Sequence, residues 1–161
     1  MKWPKSLLSV PALLALACCT PACAAEFSFD GYTLGMPAAS ASMVKPYLGW
    51  QKAASSEGEA SRLQFKASYL GSEADAYVDL DATRRYVKRI GFVFAAASDF
   101  DCLASSVLAA ETLDKTYGKG TATEAATGRK VQWQGQDGFT LSWLEVCSVG
   151  GKAYSVVFSK T

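Results

Sequence analysis

Residues 63–94, LQFKASYLGSEADAYVDLDATRRYVKRIGFVF, decide the fold. Leu63, Phe65, Ala67 and Tyr69 alternate with Gln64, Lys66 and Ser68. Ala76, Val78 and Leu80 alternate with Tyr77, Asp79 and Asp81, and Ile90, Phe92 and Phe94 with Arg89, Gly91 and Val93. Side chains along a strand point to opposite faces in turn, so this pattern puts apolar groups on one face and polar groups on the other. That is the mark of antiparallel strands with one buried face.

The same pattern returns downstream. Val131 and Trp133 alternate with Gln132 and Gln134, and Gly135-Gln136-Asp137-Gly138 reads as a turn. Phe139, Leu141, Trp143 and Cys147 share one parity, and Tyr154, Val156 and Phe158 form a last strand facing the same core. A helix precedes each strand set. The second opens at Ser98, an N-cap with Asp101 three residues on. Phe100, Leu103, Val107, Ala110 and Tyr117 supply its apolar spacing, and Gly118 stops it. The first runs from Pro37 to about Leu48, with Met43, Val44 and Leu48 as apolar contacts and Pro46 placed to shorten it. Phe27-Ser28-Phe29 reads as a short strand. Residues 51–61 and 118–128 are small and polar and read as loops.

The halves match in order. Tyr117-Gly118 follows Leu48-Gly49 at an offset of 69, Trp133 follows Phe65 at 68, and Val156 follows Ile90 at 66. The fold class is therefore α+β: tandem α-β-β-β units forming one antiparallel sheet with two helices on one face. Residues 26–161 make one domain of two similar halves, 26–97 and 98–161.

The start of the chain has a different character. Met1-Lys2-Trp3-Pro4-Lys5, the apolar run Leu7 to Ala17 and the small residues Ala22-Cys23-Ala24-Ala25 have the layout of a signal peptide, 1–25, cleaved before Glu26. The run is too short to span a bilayer. The alternative is a lipoprotein, with Cys18 or Cys19 becoming the lipidated first residue. Export places the mature chain in the periplasm or outside the cell. Of five cysteines only Cys102 and Cys147 then remain, and an oxidising compartment predicts a structural disulfide between them. They lack the C-x-x-C spacing of a redox pair.

Composition removes many functions. The chain has 161 residues, half of them apolar and 19% charged, which excludes a disordered tail. It has no histidine. Ser-His and Cys-His nucleophiles and the commonest zinc and copper sites are thus absent. Removing Lys2 and Lys5 with the leader leaves 14 basic against 15 acidic residues. A net charge of −1 gives no drive towards nucleic acid. Asp79-x-Asp81 and Asp99-x-Asp101 read as a polar strand face and a helix cap, without the oxygen-rich loop of a calcium site. Arg84-Arg85 and Lys88-Arg89 read as a solvated hairpin tip balanced by Asp79 and Asp81. Trp50 follows the first helix and reads as core rather than as an exposed anchor. No catalytic residue, metal site or cofactor is assigned.

Phe29-x-Gly31, Leu34-Gly35-Met36, Tyr117-Gly118 and Trp133, in this layout, resemble the β-lactamase-inhibitor-like fold of small exported bacterial proteins. The layout is similar, too, to the small outer-membrane-assembly lipoprotein domain, which holds one such unit. The likeness covers most of residues 26–161 in architecture. It implies protein binding, often inhibitory, through the sheet face and loops, and carries over no contact residue. The sequence thus leads to an exported, monomeric protein-binding module acting through an open sheet face. Lys66, Tyr77, Asp79, Arg89 and Gln132 share the polar parity and are its candidate binding residues. The competing readings are a lipid-anchored structural factor of the envelope and a histidine-free hydrolase.

Overall fold

The computed structural model describes residues 27–55, 58–125, 128–135 and 138–160. The expected leader, with Cys18 and Cys19, lies outside these, as do Gln136 and Asp137 of the expected turn. The described chain opens with a hairpin, β1 (Ser28–Phe29) and β2 (Tyr32–Thr33), and a helix, α1 (Ala38–Val44). Four strands follow: β3 (Gln51–Ser55), β4 (Gly58–Tyr69), β5 (Ser72–Leu80) and β6 (Val87–Ala95). Helix α2 (Asp99–Tyr117) leads into β7 (Thr121–Ala125), β8 (Gly128–Gln134), β9 (Phe139–Glu145) and β10 (Ala153–Lys160), with a 3-10 turn at Cys147–Val149.

The eight strands β3 to β10 form one antiparallel sheet in the order β3-β4-β5-β6-β10-β9-β8-β7. Each half contributes four consecutive strands, and the halves join where β6 pairs with β10. The duplication holds in register. Ile90 faces Val78, which faces Leu63; Val156 faces Trp143, which faces Val131. These equivalent positions lie 66, 65 and 68 residues apart, close to the offsets read from the sequence.

The repeat unit is larger than expected, α-β-β-β-β rather than α-β-β-β. Residues 51–61 and 118–128 are not loops: they hold β3 and β7 with the starts of β4 and β8. The physical reason is their place. β3 and β7 are the two edge strands, and most of their side chains meet solvent on both faces. With no buried face, alternation is not required of them.

One sheet face carries the core. Leu63, Val78, Ile90, Phe92, Val156, Phe158, Leu141, Trp143 and Trp133 are buried there. The β1–β2 hairpin turns at Asp30-Gly31, both with positive φ, the backbone of a tight hairpin. It lays Phe27 flat on Phe158 and Phe29 edge-on against Phe92. α1 adds Ala41, fully buried, and stops before Pro46, so the helix expected to reach Leu48 is seven residues long. Met43, an expected apolar contact, is 74% exposed. Val44, Leu48 and Trp50 pack against the core, and the Trp50 indole donates to the Ser42 hydroxyl at 3.0 Å.

α2 starts and stops as the sequence predicts. The Ser98 hydroxyl accepts from the Asp101 N–H at 3.1 Å and donates to the Asp101 carboxylate at 2.7 Å. Gly118 has φ 81°. Its rotation, however, departs from the expected apolar stripe. Phe100, Leu103 and Val107 are exposed, and the buried positions are Cys102, Ser106, Ala109 and Leu113. Cys102 is bonded to Cys147, with Cα atoms 5.8 Å apart, and this link sets which side of the helix faces the sheet. Cys147 itself lies in the 3-10 turn beyond β9 rather than on the strand. Glu145 holds the last buried strand position, and its carboxylate accepts from the Ser148 N–H at 2.6 Å, capping the turn that carries Cys147.

Candidate functional site

Among the described residues, both helices and the β1–β2 hairpin pack on one face of the sheet. The other face is open. Its central row runs Gln64, Tyr77, Gly91, Val157, Ser142, Gln132 across six strands. The row on one side is Arg62, Asp79, Arg89, Ser159, Thr140, Gln134. The row on the other is Lys66, Asp75, Val93, Ser155, Leu144, Lys130. All five residues named from parity lie on this face. Lys66, Tyr77, Asp79 and Arg89 cluster on β4, β5 and β6. Gln132 is on β8, three strand spacings from β6, or about 14 Å, and its amide donates to the Ser142 hydroxyl at 3.3 Å.

The cluster is built around a residue that alternation alone places in solvent. Asp79 is fully buried. Its carboxylate accepts from Arg62 Nε at 2.7 Å and Arg62 Nη2 at 2.8 Å, and Arg89 Nε stands 3.3 Å away. Asp79 is therefore the shared counter-ion of two guanidiniums: Arg89, which belongs to the basic cluster it was expected to balance, and Arg62, which does not. Arg62 was not among the named candidates; it lies one residue before Leu63 and has the parity of Gln64 and Lys66. The Arg62 guanidinium lies 4.0 Å from the centre of the Tyr77 ring, and the tip of that ring lies over Gly91. The Asp79 hydrogen bond holds the Arg62 pKa above its usual value, and burial pushes the Tyr77 hydroxyl up, partly offset by Arg62.

This stack needs a glycine at position 91, because a β-carbon there would overlap the Tyr77 ring. Gly91→Ala is expected to cost about 1–2 kcal/mol, measured by urea denaturation. Adding Tyr77→Ala should remove most of the penalty. Additive losses in the double variant would show that the ring and the glycine do not share this space.

The structure places the other residues singled out from the sequence as follows. Lys66 pairs with Asp75 at 2.8 Å on the exposed surface, a contact of little energetic weight. Asp81 caps the β5–β6 turn. It accepts from the Thr83 hydroxyl and from the Arg85 and Tyr86 N–H groups, bonds that hold its carboxyl pKa below the usual value. Trp133 is buried, its indole donating to Asp114 at 3.0 Å and to the Gly118 carbonyl at 2.8 Å. No group of three His, Cys, Asp or Glu among the described residues is placed to hold a metal ion. Three surface cavities bear on the reading of a paired-acid hydrolase. One holds a single carboxylate, Asp81, and neither of the others is lined by one, so none of these three pairs two acids.

The chain matches no family model, and no curated protein or solved structure is significantly similar to it. No helix among the described residues is long and apolar enough to cross a membrane. The disulfide is compatible with an oxidising, exported location.

Proposed function

We propose that the mature chain is an exported protein-binding module that engages a partner protein through the open sheet face. One observation carries this reading: an eight-stranded sheet has all its described helices and its extra hairpin on one side. An antiparallel sheet can keep a solvated face without any partner. This face differs from a plain solvated one in its make-up. It has a wholly buried carboxylate under two arginines, and its centre is lined by Gly91, Val93, Val157 and Leu144 rather than by long charged chains. The resemblance to exported inhibitory proteins agrees with the same reading and makes inhibition the first activity to assay.

Photo-crosslinking residues placed at Val157 and Ser142 should give adducts with specific envelope proteins. The same residue at Phe100 or Met43, exposed on the helical side, should not. Equal labelling from both sides, or labelling from the helices alone, would remove the open face as the binding surface.

A further inference from the structure

We propose that α2 docks against α2 of a second copy of this chain through its outward side, making a two-fold dimer whose open sheet faces point away from each other. The observation behind it is what α2 leaves in solvent. Phe100, Leu103, Val107 and Leu108 are 79%, 38%, 43% and 64% exposed, and Ala104 among them is exposed as well. At 3.6 residues per turn these five share one side of the helix, opposite the side that buries Cys102, Ser106, Ala109 and Leu113. Scattered exposed apolar groups need no partner, whereas a contiguous patch marks an interaction surface.

The patch is self-complementary, which a contact between two identical surfaces requires. Phe100, Ala104 and Leu108 form one ridge at four-residue spacing with the small residue in the middle. Two such ridges crossing antiparallel at Ala104 bring Phe100 of each copy opposite Leu108 of the other, and alanine at the crossing lets the helices approach to about 8 Å. Helical side chains lean towards the N-terminus of their own helix. In an antiparallel pair that lean carries each Phe100 ring past Leu108 and onto the next turn of its neighbour. A surface cavity of about 120 Å³ lies there, lined by Leu70, Ser105, Leu108, Thr112 and Tyr154 among others; a cavity of about 150 Å³ holds a benzene ring. Knob and hole thus sit on one helix, about 12 Å apart, and the contact closes as a pair instead of growing into a chain. The area is sufficient. The patch exposes on the order of 400 Å² per copy, and interfaces are about three-fifths apolar, so the whole contact covers about 1,300 Å², within the range of stable interfaces. The charge on α2 is Asp99, Asp101, Glu111 and Asp114 against Lys115, a balance that disfavours an anionic lipid surface as the cover. Both open faces stay free, so the dimer presents two of them to a partner.

Sedimentation equilibrium of the oxidised mature protein tests this. It should give a dimer in place of the monomer expected from the sequence. Phe100→Ala and Ala104→Glu should each raise the dimer dissociation constant at least about tenfold, whereas Met43→Ser, at an exposed position on the other helix, should leave it unchanged. All three are surface positions, and each variant should keep the parent's circular dichroism and disulfide. A photo-crosslinking residue at Ala104 should join the chain to itself, a product whose mass distinguishes it from the envelope adducts sought at Val157 and Ser142. A protein that stays monomeric up to about 100 μM would overturn the dimer and leave the open-face reading intact. A dimer indifferent to both α2 substitutions would overturn α2 as its interface. Binding to phosphatidylglycerol vesicles that Phe100→Ala abolishes, with no dimer in solution, would overturn the second copy in favour of lipid. A dimer that forms through α2 while the open face gives no envelope adducts would support this proposal and remove the open-face reading alone.

Discussion

Replacing Cys102 and Cys147 together by alanine is expected to destabilise the protein by about 4 kcal/mol. The two cysteines are 45 residues apart in sequence, and the bridge removes the freedom of that loop from the unfolded chain. At this chain length the change corresponds to a fall of roughly 10 °C or more in melting temperature. The effect bears on α2 in particular. The large apolar side chains Phe100 and Leu108 face outward, so the helix buries Cys102, Ser106, Ala109 and Leu113 and adds the Tyr117 ring against Phe139 and Phe158 at its end. Such a face contributes less apolar burial than a stripe of leucines, and the covalent tie carries a correspondingly large share of its docking. Guanidinium denaturation of the oxidised protein and the double variant measures the difference. A loss below about 1 kcal/mol would show that α2 docks without the bridge.

Arg62→Leu is expected to cost about 3 kcal/mol. Asp79 has no solvent contact. Without Arg62 it loses its two shortest hydrogen bonds and keeps Arg89 Nε at 3.3 Å. A buried carboxylate with too few partners is costly because water no longer solvates it. The double variant Arg62→Leu with Asp79→Leu should recover most of that loss, since a buried pair removed as a unit leaves no stranded charge. Denaturant midpoints for the parent, both single variants and the double variant complete the cycle. If Arg62→Leu stayed within about 0.5 kcal/mol of the parent, the fork on Asp79 would be incidental to stability. The same cluster then could not serve as a rigid anchor for a partner.

These two sites differ in how far they can be read from the chain. The disulfide follows from a count: two cysteines outside the segment that reads as a leader, on the expectation of an oxidising compartment. The Asp79 cluster does not. Alternation places Asp79 on the polar face, and there it lies. Its burial comes from side chains on the neighbouring strands, Arg62 on β4 and Arg89 on β6, closing over it. Parity along one strand holds no information about the height of the side chains beside it.

The one-dimensional pattern by itself determined which face each inner strand buries, where α2 is capped, and that two like halves lie in tandem. Each follows from local periodicity or from a hydrogen bond between near neighbours. Tertiary structure alone decided the rest. β3 and β7 are strands because they find a hydrogen-bonding neighbour at the sheet edge, where no buried face imposes a pattern. α2 turns Phe100, Leu103 and Leu108 outward and Leu113 inward because the sulfur bridge at Cys102 fixes which side of the helix faces the sheet. The open face acquired a preformed arginine pair because three strands in register bring Arg62, Asp79 and Arg89 together, an arrangement that exists only once the sheet has formed.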